Sequence, residues 1–482
     1  MEMKNRVRSL SLMLCLCALL ASCGGGQTAA DTEAAVTTTD SEAVQTETAA
    51  FVPELLEADY GGATFTFLNG NTGYTYCNIV VEEETGDVVY DTLYRRNLGV
   101  EEVYNIRFAE VPSKSIVNDA LKSVQAGDNS YDVALMQCEN ALKLMLDNAA
   151  VDFAEIPYLN MDQPWWMQSA QETMSIDHRN FFALSMFDIS HFETARVLFF
   201  NRTMTERYDL TSPYTLVDNG TWTLDKFREY AVAAISDLNG DGVFDTADQY
   251  GFTAYPNVGA PALMIGIEAP LTLSKDDNDM PLFDMENEYY FGRLNLLCEM
   301  LFCQDGFLNL GWSKGDTRSF EEGRCMFYIN TLTTANGMRD MTDEFGIIPT
   351  PKYDESQSEY CNYGGSPFYM VVPPTTEDLS RTGAVLEMLA YTSVDVVDTA
   401  YYDVLLQGKI SRDADTRRML DLIFTTQIYQ TPIAQKYVQT DLVDLYIWKN
   451  NTDFASYFAK KRNQIQSDID AAVEAYQANN QS

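Results

Sequence analysis

The segment Asp237-Leu238-Asn239-Gly240-Asp241-Gly242-Val243-Phe244-Asp245-Thr246-Ala247-Asp248 spaces its oxygen-bearing side chains as a hard divalent cation requires. Asp237, Asn239, Asp241, Asp245 and Asp248 stand at loop positions 1, 3, 5, 9 and 12; Gly242 stands at 6 and Val243 offers its carbonyl at 7. Such an ion wants six or more oxygens, and the glycine permits the sharp turn that lets alternate side chains converge. The expected occupant is a structural Ca2+, held without catalysis. Asp248, shorter than the glutamate usual at position 12, weakens the grip, but extracellular calcium fills even sites of about 10⁻⁴ to 10⁻³ M. The competing reading is an Asp/Asn/Gly turn that binds no ion.

Catalytic signatures are scarce. The chain has no GxxxxGK[ST], HExxH or GxSxG motif, and Gly364-Gly365-Ser366-Pro367-Phe368 lacks the last glycine of the third. It holds only two histidines, His178 and His191, and 71 acidic residues, among which a glycosidase pair can always be imagined. The expectation is a protein that is not an enzyme, with a glycoside hydrolase as the enzymatic alternative.

The N-terminus carries Lys4, Arg6 and Arg8, then runs apolar from Leu10 to Ala21, a secretory profile too short to span a bilayer. It ends in Leu20-Ala21-Ser22-Cys23, which resembles the bacterial lipobox. That resemblance implies a signal peptide over 1–22 and an acylated Cys23 as the first mature residue, anchoring the chain outside the cell membrane. Residues 23–50 are rich in Gly, Thr, Ala and acidic residues; with almost no large apolar side chain they cannot offset ordering entropy, and they read as a disordered tether.

The formal charge is −39, and removing residues 1–22, with three cations and Glu2, takes it to −41. Charge of that sign excludes a nucleic-acid partner, whose phosphates require a basic surface. With 46% hydrophobic and 12% aromatic residues the body is still globular, and its length exceeds what one core usually holds, so two lobes are expected. Six cysteines remain beyond the anchor: Cys77, Cys138, Cys298, Cys303, Cys325 and Cys361. They permit disulfides, but scattered through apolar runs they read equally well as buried thiols.

Strand and helix alternate along the body. Thr64-Phe65-Thr66-Phe67 has strand period; Val117, Ala120, Leu121 and Val124 have helical spacing, closed by Gly127; Tyr131 to Met136 is strand-like again. Further helices are marked by Phe227, Tyr230, Ala231 and Ala234 behind Thr223, by Val385, Met388, Leu389 and Thr392, and by Ile465, Ile469, Ala472, Val473 and Tyr476. Strands gather early and around 345–372, and the last hundred residues read as helical.

Several stretches, taken in order, resemble the type 1 extracellular solute-binding proteins that serve ATP-driven carbohydrate importers. They are Gln125-Ala126-Gly127-Asp128 before Tyr131-Asp132-Val133, Gln163-Pro164-Trp165-Trp166, and Phe199-Phe200-Asn201-Arg202 before Thr221-Trp222-Thr223. Asp248-Gln249-Tyr250-Gly251, Phe320-Glu321-Glu322-Gly323, Phe345 to Lys352 and Val371 to Thr375 complete the series. The resemblance implies an α/β, two-lobed periplasmic-binding-protein-like fold of type II with a helical C-terminal region and a ligand cleft between lobes. By analogy, lobe 1 comprises 51–187 plus 331–375 and lobe 2 comprises 188–330 plus 376–482. Crossings fall near Met186 to Asp188 and Ile329 to Thr331, with a return near Pro373 to Glu377.

The implied protein is a monomeric receptor that closes reversibly on a carbohydrate and delivers it to the permease of an ABC importer. A receptor for a peptide or polyamine, or a surface lectin, is the non-enzymatic alternative. Sugar recognition needs aromatic faces and convergent polar groups. Gln137 and Glu139 qualify by position after a strand, Trp165 and Trp166 as aromatic faces, and Asp188 and Asn330 at the crossings. Tyr255 follows the metal loop, and Gly364, Gly365 and Ser366 form a loop that offers backbone donors.

Overall fold

In a computed structural model, residues 56–71, 73–245, 247–269, 273–309, 318–394, 400–401 and 414–478 are described. Cys23, the signal and the tether lie outside them. The described strands are β1 (Ala63–Asn69), β2 (Ile106–Pro112), β3 (Val133–Met136), β4 (Arg196–Asn201), β5 (Tyr250–Ala254), β6 (Ser274–Lys275), β7 (Pro281–Leu282) and β8 (Leu308–Asn309). They continue with β9 (Cys325–Thr331), β10 (Phe345–Ile348), β11 (Asn362–Tyr363), β12 (Tyr369–Val371) and β13 (Gln427–Ile428). The helices used below are α1 (Val88–Tyr104), α2 (Ile116–Ala126), α3 (Cys138–Leu146), α4 (Ser190–Glu193), α5 (Leu224–Ala234), α6 (Pro256–Gly266), α7 (Leu379–Ser393), α8 (Ala414–Thr425) and α9 (Phe454–Ala478).

Two sheets organise the chain, one of order β12-β3-β1-β2 and one of order β10-β4-β9-β5-β8. β1 runs parallel to both β2 and β3, so α1 and α2 serve as the crossovers that parallel pairing requires. Local chemistry sets the helix ends. Asp87 caps α1 by accepting the Val89 and Tyr90 amides, and Gly127 closes α2 at φ 64, the left-handed turn that glycine adopts without a Cβ penalty. The predicted strand at Thr64 to Phe67 and the predicted helices containing Val117, Phe227, Val385 and Ile465 all form. Thr223 precedes α5 but its side chain makes no capping bond.

The fold is the two-lobed α/β arrangement of the type II periplasmic-binding class. Its lobe boundaries differ from those expected. β10 was placed in lobe 1, yet it pairs antiparallel with β4 in the second sheet. α7 was placed in lobe 2, yet Val385, Leu386, Met388 and Leu389 are buried in the same cluster as Phe65, Phe67 and Phe187 of lobe 1. Ile329 to Thr331 is not a crossing but the end of β9, hydrogen-bonded to β4. The return runs through 349–368, between β10 and β12, rather than near Pro373 to Glu377. Sheet membership is decided by partners remote in sequence, which an order of motifs does not reveal.

All six body cysteines are free thiols, which removes the disulfide alternative. Cys77, Cys138, Cys298 and Cys325 are buried, and burial raises the pKa of each, keeping them protonated. No described helix is long and apolar enough to cross a membrane.

Candidate functional site

Strand direction brings the candidate region together. Met136 at the end of β3 faces Tyr369 at the start of β12, so the carboxyl ends of β1 and β3 share an edge with the segment leading into β12. In the second sheet Ala254 pairs with Ile329, and Thr331 with Arg196, so the ends of β5 and β9 share an edge with the start of β4. Gln137, Ser366, Tyr255, Asn330 and Arg196 thus all lie on strand edges joined by 186–195 and 349–368. Ligands of α/β proteins sit at such carboxyl edges.

Tyr363 is the hub. It is 1% exposed, and its hydroxyl donates to Oε1 of Gln430 at 3.0 Å. The Arg196 guanidinium lies 5.7 Å from its ring centroid. Burial pushes its phenol up to about 12, against the pull of Arg196 and a hydrogen bond with Ser366; Cys138 and Glu139 push it the same way as burial. Ser366 thus hydrogen-bonds Tyr363 and Glu139 acts on it through its charge; Tyr363 itself carries no sequence signal. Cys138 adds contacts across the site, its thiol donating to Oε1 of Gln435 at 3.3 Å and to the Gln430 carbonyl at 3.8 Å.

Two buried donors in this cluster have no acceptor among the described residues. Arg196 is 6% exposed and donates through Nη1 to the Thr194 carbonyl at 2.7 Å, yet its Nε has no partner. Gln430 is 2% exposed and its Nε2 has none. Buried polar atoms are paired with few exceptions, and exceptions cluster where something else supplies the partner. Arg196 carries a sequence signal, a lone cation heading the apolar run Val197 to Phe200. Gln430 carries none, since its place depends on β13 pairing with β11.

The two glycines serve close approach. A Cβ on Gly365, at φ 78, would stand 1.9 Å from the Thr194 carbonyl oxygen, and one on Gly364 would stand 2.4 Å from the Tyr429 ring. Gly364 is not the free backbone donor expected of it, because its amide is spent on the Ile428 carbonyl at 3.0 Å; its own carbonyl accepts from Thr194 at 3.2 Å.

Four other expected ligand contacts are taken up by structure. Trp165 and Trp166 are 3% and 0% exposed, and their indole N–H groups donate to the two oxygens of Glu387 at 3.2 and 2.9 Å. Their rings pack edge-on against Tyr391 and Phe153 rather than facing a cleft. Asp188 accepts the Ser190 amide at 3.0 Å and its hydroxyl at 2.6 Å, fixing the start of α4. Burial raises its pKa to about 7, opposed by those bonds and by Arg96. Asn330 accepts the Thr331 amide at 2.8 Å and donates to the Tyr328 hydroxyl. Gln137 and Glu139 stay half-buried at the start of α3, and Tyr255, 37% exposed at the start of α6, keeps an aromatic face open. His178 is exposed; His191 is buried and its pKa falls to about 4, so its imidazole stays neutral.

The Asp237 to Asp248 loop folds on itself through its own carboxylates. Asp237 accepts the Gly240 and Gly242 amides at 2.6 and 2.8 Å, and Asp241 accepts that of Val243 at 2.8 Å. Asp248, fully buried, accepts the Asp245 and Leu238 amides at 2.9 and 2.8 Å, and the Asp245 bond leads in lowering its pKa. Among the described residues no three His, Cys, Asp or Glu side chains are gathered as a metal cluster. The donor chemistry still suits a hard cation: Asp237, Asn239, Asp241, Asp245 and the Val243 carbonyl all belong to one exposed turn with glycines at φ 75 and 77.

No protein-family model matches this sequence, and no curated protein matches it. Solved structures do. An ABC substrate-binding protein from Listeria monocytogenes, in complex with cycloalternan, is 9% identical with a TM-score of 0.54, over 85% of this chain and 99% of that one. A cyclo/maltodextrin-binding protein complexed with maltotetraose is 11% identical with a TM-score of 0.54, over 87% and 98%. UspC of M. tuberculosis is 11% identical with a TM-score of 0.55, over 86% and 100%. At such identities the likeness establishes the two-lobed fold, and function has to be argued from the site.

Proposed function

We propose that this protein is a lipid-anchored receptor on the outer face of the cell membrane, which binds a carbohydrate between its lobes and delivers it, unchanged, to an ABC importer. The observation that carries the reading is the pair of buried, unpartnered donors around Tyr363: Arg196 Nε, on the side chain that lies over its ring, and Gln430 Nε2, on the side chain that accepts from its hydroxyl. A carbohydrate supplies acceptor oxygens in the number and spacing such donors need, and Tyr255 and Glu139 provide the open ring face and the carboxylate that its C–H faces and hydroxyls favour. The bound sugars of the Listeria and maltodextrin-binding proteins support the same ligand class. Contacts made from both lobes only in the closed form shift the equilibrium toward closure, giving a permease a shape to read. Anchoring rests on Cys23 and its flanks, and a Ca2+ held by the Asp237 loop would tighten lobe 2 without entering the ligand site.

The test is calorimetric titration of the purified chain with mono- and oligosaccharides, amino acids, peptides and polyamines. The reading requires saturable heat from a saccharide recovered intact afterwards; binding confined to a non-carbohydrate, or cleavage of the saccharide, refutes it. Mass spectrometry of membrane-extracted protein checks the anchor, and an unmodified Cys23 refutes that part.

A further inference from the structure

The buried arginines of this protein differ in how their charge is met. Arg179 is paired with Asp152 at 2.7 Å, and the half-buried Arg381 with Asp132 at 2.5 Å. Arg96 spends its donors on the Phe187 carbonyl, the Ser393 hydroxyl and the Asn97 amide oxygen, and Asp188 adds a favourable field. Arg196 has only the Thr194 carbonyl and the face of Tyr363, and it forms no ion pair with any described residue. A guanidinium does not neutralise itself by losing a proton, so a buried one without a counter-charge is costly unless an anion arrives.

Resting on the receptor reading above, we propose that the ligand is an acidic saccharide, a uronide whose carboxylate pairs with Arg196 while Gln430 Nε2 takes a neighbouring oxygen. A hydroxyl would satisfy the orphaned Nε but leave the charge unmet, whereas a carboxylate does both through short, charge-assisted bonds. Gln430 is held for this task by its Oε1, which accepts from Tyr363, so its amide nitrogen faces away from that bond with nothing to donate to. Glu139, whose charge acts on Tyr363 from α3, is not an ion-pair partner of Arg196 and remains an acceptor for a hydroxyl of the same saccharide. The overall charge of −39 does not oppose this at close range, because exposed charges beyond about 8 Å are screened at physiological salt. It does slow the approach of an anion, so the association rate should rise with ionic strength.

The experiment titrates the full chain with galacturonate and glucuronate mono-, di- and trisaccharides and with galactose and glucose oligomers of matching length. The ratio of uronide to neutral affinity is the readout. In the wild type the uronide of the preferred length should bind about tenfold or more tighter, the scale of one charge-assisted bond. Arg196→Gln should bring the ratio to about one, and Arg196→Lys, which restores the charge without the fork, should recover part of it. Gln430→Glu keeps size and the Tyr363 bond while adding a repelling charge, and should lower the ratio as well. It carries the test with the wild-type ratio if the Arg196 variants do not fold. Neutral oligomers binding as tightly as uronides, or a ratio unchanged in Arg196→Gln and Gln430→Glu, overturns the acidic ligand and leaves a neutral-sugar receptor standing. If neither saccharide series binds, both readings fall.

Discussion

Two buried clusters of this protein combine aromatic rings with a charged side chain, and they have opposite accounts of their hydrogen bonds. In lobe 1, Glu387 accepts from Trp165, from Trp166 and from the Asn160 amide, so no donor is left over. Around Tyr363, Arg196 lies over the ring, Gln430 accepts from the hydroxyl, and each keeps one donor unspent. The first cluster bore the stronger resemblance to a sugar site, having paired tryptophans, and it is packing. The lesson is that a residue type names a possible chemistry, whereas an unsatisfied atom shows where that chemistry is still available.

The contrast can be broken most forcefully at Glu387. Glu387→Ala strands three donors in a dry interior and should cost about 3–5 kcal/mol in urea unfolding, with ligand affinity per folded molecule unchanged. An equal loss of affinity would mean that the tryptophan cluster belongs to the site after all. Next comes Gly365→Ala, where the left-handed backbone and the Thr194 oxygen both oppose a Cβ; a loss of about 2–3 kcal/mol is expected, accompanied by weaker ligand binding because the strand that positions Tyr363 must shift. Stability lost with affinity intact would separate that loop from the site.

The metal loop sharpens the comparison from a third region. If Ca2+ binds at about 10⁻⁴ to 10⁻³ M, 10 mM CaCl2 should stabilise the chelated protein by about 1.4–2.7 kcal/mol, seen as a rise in Tm that Asp241→Ala abolishes. No rise, and no heat on titration, ends the ion-binding reading.

The smallest net change in the wild type is the pH dependence set by Asp188 and His191, whose contributions are opposed. Asp188 has its pKa raised to about 7, above an unfolded value of about 3.9, so its contribution is present at low pH and is lost as pH rises through that window. His191 has its pKa lowered to about 4, below an unfolded value of about 6.5, so its contribution is present above that value and lost as pH falls. The two slopes oppose and nearly cancel in the wild type. Asp188→Asn should uncover stability that rises from pH 4 to 6.5 relative to wild type, and His191→Gln stability that falls from pH 4 to 7, each by about 1 kcal/mol per pH unit. Melting curves of the three proteins across that range check it, and parallel curves would show that neither group titrates as its burial requires.

Much of the fold was legible because it is written locally. The strand at Thr64 to Phe67 shows its alternation, α5 shows Phe227, Tyr230, Ala231 and Ala234 at helical spacing, and Gly127 marks the end of α2 by its own conformational freedom. The candidate site was half legible. Glu139 was named because it follows a strand, Ser366 because its loop offers backbone donors, and Tyr255 because it follows the metal loop. Tyr363 and Gln430 were not, since one tyrosine among 28 carries no mark until its neighbours are known.

What the sequence determined by itself is what depends on composition and short-range spacing: an N-terminus that is basic and then apolar, an acidic body, alternating strands and helices, and a loop with oxygen-bearing side chains at the intervals of a cation site. What only the tertiary structure decided is which segments share a sheet and which polar atoms find partners. β10 joins lobe 2 and α7 joins lobe 1 through contacts made across long stretches of chain, and the same folding gives Glu387 three donors while leaving Arg196 and Gln430 short of acceptors. Hydrogen-bond satisfaction belongs to pairs of groups brought together by folding, so no single residue type can announce it.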